Sequence, residues 1–266
     1  MESLLSRFYK GIAEYLSEYK AVSAEELMMK IDQEIDNLNE VEKKELNSLM
    51  DGNAKQQVFD GIIGKIQPSV FSPDMHVKHN YYGEVFYCPP THRYMADELD
   101  KGLKRLLKLR YPKISEDIEE VLNNLMIKSG YNMSEIESDV PSVYKSYKAI
   151  KGEKVIELFS FESIIFVSDG LETLKDKTTK FGIVVPSETT PAPFVNFIRE
   201  NLNSVMGNRY MMILSINPEQ KTVSPVLDPI RDKDMWSNYT LPEVSIQATQ
   251  NWIHGAMKTQ VLDEDF

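Results

Sequence analysis

Cysteine is almost missing: Cys88 is the only one in 266 residues. An internal disulfide is therefore excluded, and a reducing cytoplasm is the expected compartment. Long apolar runs are missing too. None approaches the roughly 20 residues a spanning helix needs, and the opening Met1-Glu2-Ser3-Leu4-Leu5-Ser6-Arg7 lacks the apolar core of a secretory signal. No membrane contact is expected. Bases are scarce, with 30 Lys and Arg against 41 Asp and Glu and a net charge of −11. That argues against a surface that tracks nucleic acid or anionic lipid throughout, while leaving room for a local basic face. Glycine motifs of enzymes are absent as well. Gly61-Ile62-Ile63-Gly64-Lys65 has too short a gap between its glycines for a P-loop and no Ser or Thr after the lysine. No dinucleotide-binding Gly-x-Gly-x-x-Gly and no Gly-x-Ser-x-Gly nucleophile elbow occurs.

What is present describes a globular chain. Hydrophobic residues make up 42% and aromatics 10%, enough for one large domain or two modest ones. In the first 67 residues Leu4, Leu5, Phe8, Ile12, Tyr15, Leu16 and Tyr19 recur every three or four positions, which places them on one helical face. Ser23 and Glu26 form a capping-box pair ahead of Leu27, Ile31, Ile35 and Leu38. A third helix is predicted from Val41 to the Asp51-Gly52 stop. Residues 23–51 carry nine acids and three lysines, a solvated acidic face.

Residues 68–94 break this pattern. Pro68, Pro73, Pro89 and Pro90 interrupt any helix, and Tyr81, Tyr82, Phe86 and Tyr87 between them read as a short strand or hairpin in an irregular loop. Helix resumes at Tyr94 with the stripe Met95, Leu99, Leu103, Leu106 and Leu107; Ser115 is the expected cap of a separate helix that closes at Gly130. A polar segment and a shorter helix then lead to Lys151-Gly152, the expected domain boundary. Beyond it strands are predicted at 155–161, 164–167 and 181–185, with Ser168-Asp169-Gly170 as a turn. A helix over 191–206, a hairpin over 210–227 and a helix around Trp252 complete the chain. The expected class is α+β: a mainly helical region, 1–152, holding the Pro/Tyr/His-rich loop, then a smaller, mostly antiparallel α+β module, 153–266.

Three of the four histidines and the lone cysteine fall within seventeen residues: His76, His79, Cys88 and His92. Zinc takes four such donors in a tetrahedron, and short paired spacings let each pair bind from one turn. Four protein donors leave no open position, which favours a structural zinc as the cofactor. A three-donor version with water, using Glu84 or Asp74 as base, would make the site hydrolytic. The alternative to both is a loop whose histidines only hydrogen-bond. Cys88 is also weighed as a thiolate nucleophile beside His92 or His79, and Glu219-Gln220-Lys221 with Asp169 as nuclease-like spacing in an expected turn.

A second cluster is basic. Arg93, Lys101, Lys104, Arg105 and Lys108 belong to a stretch, 93–113, with seven cations and three acids. It suits phosphate contact, with Tyr81 and Tyr82 nearby for base stacking; the alternative is pairing with acids of this chain or a partner. The chain ends Leu262-Asp263-Glu264-Asp265-Phe266. Over these five residues it resembles the docking tails of some single-stranded-DNA-binding proteins, in which acids meet a basic rim and the ring fills a pocket. The resemblance implies partner contact through Asp263, Glu264, Asp265 and Phe266.

Together these features favour a non-enzymatic binding or assembly protein that contacts protein or nucleic-acid partners, with one structural zinc if the four donors converge. The alternatives are a metal-dependent hydrolase or nuclease built on His76, His79, Cys88 and His92, and a structural subunit of a large assembly such as a virion.

Overall fold

A computed structural model of the chain describes residues 4–50, 52–64, 75, 77–89, 96–227 and 232–263. The fold is α+β, with a three-stranded antiparallel sheet and a six-stranded mixed sheet. The chain divides into two compact units, residues 1–109 and 110–266. No helix among the described residues is long and apolar enough to cross a membrane.

The first unit holds α1 (Leu4–Glu18), β1 (Val22–Ser23), α2 (Ala24–Asp36), α3 (Glu40–Leu49), α4 (Ala54–Ile62), β2 (Val77–Tyr81), β3 (Glu84–Cys88) and the opening turns of α5 (Ala96–Lys128). Residues at helical spacing fill its core: Phe8, Ile12 and Leu16 of α1 pack with Leu27, Ile31, Leu46, Val58 and Ile62. Each such side chain contributes about 1.5–3 kcal/mol on burial. The capping box anticipated before α2 is formed: the Ser23 amide donates to Glu26 Oε2 at 2.8 Å and the Glu26 amide to Ser23 Oγ at 3.1 Å. Asn39 and Glu42 repeat the device on α3.

Strand order in the small sheet is β1-β3-β2, all antiparallel. Val22 and Tyr87 pair across it and join the helical core, where Tyr87 meets Phe59 edge-on at 5.9 Å. Phe86 projects from the opposite face onto α5. Gly102 permits that approach, because a Cβ there would lie 2.9 Å from the Ala21 carbonyl and 3.1 Å from the Phe86 ring.

The second unit continues α5 from Arg110 and adds β4 (Asn132–Ile136), β5 (Lys145–Lys151), β6 (Lys154–Ser160), α6 (Val167–Leu174), β7 (Phe181–Pro186), α7 (Ala192–Glu200), α8 (Leu202–Gly207), β8 (Met211–Asn217), β9 (Thr222–Leu227), α9 (Lys233–Trp236) and α10 (Pro242–Asp263). The strands run in the order β4 to β9. β6, β7 and β8 are parallel, whereas β4-β5, β5-β6 and β8-β9 are antiparallel. The parallel pairs exist because helices separate those strands in sequence, so the chain returns to the same edge before each begins. Ile118, Val121, Leu122 and Leu125 of α5 cover one face through Tyr147, Ile156, Leu158, Val184 and Leu214. The helices on the other side include α7 and α10, which contact each other, and α10 also contacts β9. All six residues of β7 are buried, as a strand covered on both faces requires.

Four local expectations are overturned. Residues 132–136 and 145–151 pair as strands instead of forming a polar segment and a helix. Gly152, the expected boundary, sits at φ 57° in the turn between β5 and β6, inside the second unit. Residues 164–166 form a 3₁₀ turn leading into α6, because Ser163 Oγ accepts the Ile165 amide and Ile164, Val167, Leu171 and Leu174 have helical spacing. Gly170 consequently lies inside α6, where a Cβ would meet the Pro141 carbonyl at 2.9 Å. Finally, α5 is one helix of 33 residues with Pro112 within it, and Ser115 caps nothing: its hydroxyl donates to the Pro112 carbonyl at 3.2 Å. Pro112 is exposed, so solvent can satisfy the carbonyl that its missing N–H leaves. The sheet is mostly antiparallel as expected, three of its five pairings being so, and the parallel pairs β6-β7 and β7-β8 make it mixed.

One buried carboxylate ties the segment before α9 to the sheet. Asp232 is 3% exposed, accepts the Tyr131 hydroxyl at 2.9 Å and Lys180 Nζ at 3.3 Å, and caps α9 by accepting the Asp234 amide at 3.0 Å. Burial pushes its carboxyl up, but the Tyr131 hydroxyl and the Lys180 charge outweigh that and hold it below the ordinary value. A carboxyl depressed on folding stabilises above its unfolded pKa of about 3.9 and loses that stabilisation as pH falls through the folded value. Asp232→Asn keeps the capping oxygen and removes the charge. The variant should be less stable than the parent in urea unfolding at pH 7, and the gap should close below about pH 3.9.

Candidate functional site

The hairpin carries two of the four expected metal donors. His79 lies on β2 opposite Phe86, and Cys88 on β3 opposite Val77, so the two side chains share one face of the hairpin as diagonal neighbours. His76 and His92 lie outside the described residues, as do Arg93, Glu264, Asp265 and Phe266. Asp263 ends α10. Cys88 is wholly buried, and burial pushes its thiol up to about 11. A thiol raised in this way stays protonated near neutral pH unless a cation or a metal ion lowers it. Tyr81 and Tyr82 meet edge-on at 4.6 Å, with Tyr82 at φ 51° and Gly83 at φ 85° forming the tight turn.

The basic stripe on α5 is largely engaged with acids of its own unit. Lys101 Nζ donates to Glu98 at 2.8 Å, and Lys104 Nζ lies 3.4 Å from Asp100. Arg105 turns inward. Its Nε donates to Glu26 Oε1 at 2.9 Å, its Nη2 to the Ala21 carbonyl at 2.5 Å, and its guanidinium lies 4.3 Å from the centroid of the Tyr19 ring. Glu26, only 2% exposed, thus serves two masters: one oxygen closes the α2 capping box and the other binds Arg105. Lys108 is exposed. The Glu219–Lys221 triplet occupies the turn between β8 and β9, where Lys221 binds Glu120 at 2.9 Å.

One concave feature of the second unit is something the sequence did not disclose. A cavity of about 270 Å³ opens where β7 and β8 end, between the sheet, α7 and α10. The chain leaves β7 at Pro186, and the Ser187 amide donates to the Ile216 carbonyl at 2.7 Å, pinning the loop 187–191 beside the end of β8. Ser215 and Ser224, paired across β8 and β9, contribute to the floor. Phe194 of α7 and Trp252 of α10 line the wall, stacked at 5.5 Å and 19°. Val244, 64% exposed, gives the mouth an apolar edge.

Polar groups in the loop are mostly hydroxyls. Glu188 is the one charged residue among the described lining, and it accepts Ser163 Oγ at 2.5 Å. Ser163 itself is wholly buried, so that pair organises the loop and is not an accessible nucleophile and base. No histidine, cysteine or lysine stands among the described lining residues to activate a serine. The arrangement is suited to holding a ring against an aromatic wall with hydroxyls at its edge. The signal available in the sequence was Ser187-Glu188-Thr189-Thr190-Pro191, a hydroxyl-rich loop directly after a wholly apolar strand; Trp252, some sixty residues on, gave no hint of facing it.

Comparison with known proteins finds no family model that matches the chain and no curated protein of similar sequence.

Two substitutions on α5 separate internal packing from surface charge. Arg105→Ala leaves Glu26 buried without its partner and should cost about 3 kcal/mol in urea unfolding. Lys101→Ala, at an exposed pair on the same helix, should leave the unfolding midpoint unchanged.

Proposed function

We propose that this is a non-enzymatic binding protein whose second unit holds a small apolar ligand at the carboxyl ends of β7 and β8. The observation that carries the reading is the Phe194–Trp252 wall facing a cavity of about 270 Å³ rimmed by hydroxyls. Sheets with parallel strands bind ligands at that end, because the loops leaving the strands open a crevice there. The volume suits a single ring system and is small for a dinucleotide.

The chain has two tryptophans, so Trp236→Phe leaves Trp252 as the sole indole reporter. Toluene should then change Trp252 emission saturably, with a Kd on the order of millimolar, as expected for so small a ligand. Ala248→Phe, placed in the cavity lining, should abolish the change while the protein stays folded by circular dichroism. A non-saturable response, or one that survives Ala248→Phe, would remove the reading.

A second reading keeps the structural zinc. It is supported by His79 and Cys88 sharing one hairpin face, with His76 one residue before β2 in sequence. Elemental analysis of protein purified without chelator should then find about one zinc per chain, lost in Cys88→Ala. A folded, metal-free parent protein would dismiss it.

A further inference from the structure

We propose a second binding site in the same unit, one that takes a small compound bearing a dianionic phosphate group. It is a cleft of about 210 Å³ between the last turns of α5 and the start of β9, lined by Asn124, Leu125 and Lys128 of α5 and by Lys221, Asn238 and Thr240. Val223 lines it too and packs in the core on the α5 side of the sheet, whereas its neighbour Ser224 lines the aromatic cavity. Successive residues of a strand point to opposite faces, so the two sites are separate. This one stands whether or not the cavity holds a ring.

The described lining carries two lysines and no carboxylate. Lys128 is exposed and pairs with no acid among the described residues. Lys221 donates to Glu120 at 2.9 Å, but that pair is exposed, and an ammonium has three N–H donors to share with a second anion. Neutral donors stand in the same lining. Thr240 accepts the Val223 amide through Oγ1, which leaves its hydroxyl proton to give, and Asn124 adds a side-chain amide. The wall opposite α5 is fixed in place, because Asn238 Nδ2 donates to Ser129 Oγ at 3.1 Å and to the Asp234 carbonyl at 2.8 Å. A phosphate monoester brings two charges for two lysines and three free oxygens for the remaining donors. A carboxylate brings one charge and two oxygens.

The backbone supplies an independent observation. Lys221 closes the turn between β8 and β9 at φ 51°, in the left-handed region where glycine is unstrained. Strain of this kind persists where the side chain has a use, and here that side chain is one of the two cations.

Amide NMR of the full chain, titrated with inorganic phosphate in its dianionic form at constant ionic strength, tests the site. Saturable shifts should centre on Asn124, Lys128, Lys221, Asn238 and Thr240, with a Kd on the order of millimolar. Acetate, as the monoanionic control, should bind at least about fivefold more weakly, the scale of one exposed charge contact. Lys128→Ala and Lys221→Gly should each weaken phosphate by about the same factor, and Lys44→Ala, an exposed lysine of the first unit, should not. Because glycine relieves the turn, Lys221→Gly should melt no earlier than the parent, which separates lost binding from lost folding. Non-saturable shifts, shifts spread over lysines of both units, acetate binding as tightly as phosphate, or full affinity in either cleft variant would overturn the proposal.

Discussion

A strand buried on both faces constrains everything built around it. All six residues of β7 are withdrawn from water, and they are apolar throughout, so the chain must lay helices above and below the sheet at that point. On one side α5 supplies Ile118, Leu122 and Leu125 against Val184 and its neighbours. On the other, α10 and α7 contact each other and α10 reaches β9. Neither layer alone would keep such a strand dry. The strand ends at Pro186, and its continuation cannot stay between two helical layers without burying unpaired backbone groups. It turns out through the loop 187–191, and the cavity lies where that loop, α7 and α10 diverge from the sheet.

The edge of the same sheet shows how polar side chains finish the structure. Thr240 accepts the Val223 amide through Oγ1 at 3.2 Å and donates its own amide to the Val223 carbonyl at 2.9 Å, closing one stretch of β9. Thr249 of α10 donates its hydroxyl to the Val226 carbonyl, which ties that helix to β9 beside the cavity. An edge strand treated in this way presents fewer unpaired backbone groups. In the first unit Glu26 has the corresponding role, holding a helix cap with one oxygen and Arg105 with the other. Removing either partner leaves a buried charge, so the pair constrains the fold more than it adds net stability.

How much of this was legible depended on the pattern each element carries. The Ser23–Glu26 capping box, the stripe Leu99-Leu103-Leu106 and the hairpins at 77–88 and 211–227 were readable, because their spacing or turn chemistry is local. β5 was not. It places Lys145 and Lys151 on one face and Lys148 on the other, so no clean alternation marks it as a strand. Residues 164–167 failed for the opposite reason: a short apolar run suits a buried strand or a helical turn, and only Ser163 tips the balance. The basic residues of α5 were legible as charges but not as partners. That Arg105 reaches Glu26, far away in sequence, is a tertiary fact. The cavity was illegible for the same cause, since Phe194 and Trp252 meet only after the sheet has formed.

The most direct test of the account is an amide NMR titration of the full chain with benzyl alcohol. The account predicts saturable shifts concentrated at residues 187–191, Phe194 and Trp252, with the hairpin 77–88 unmoved. Shifts scattered over both units, or centred away from the end of β7, would contradict it.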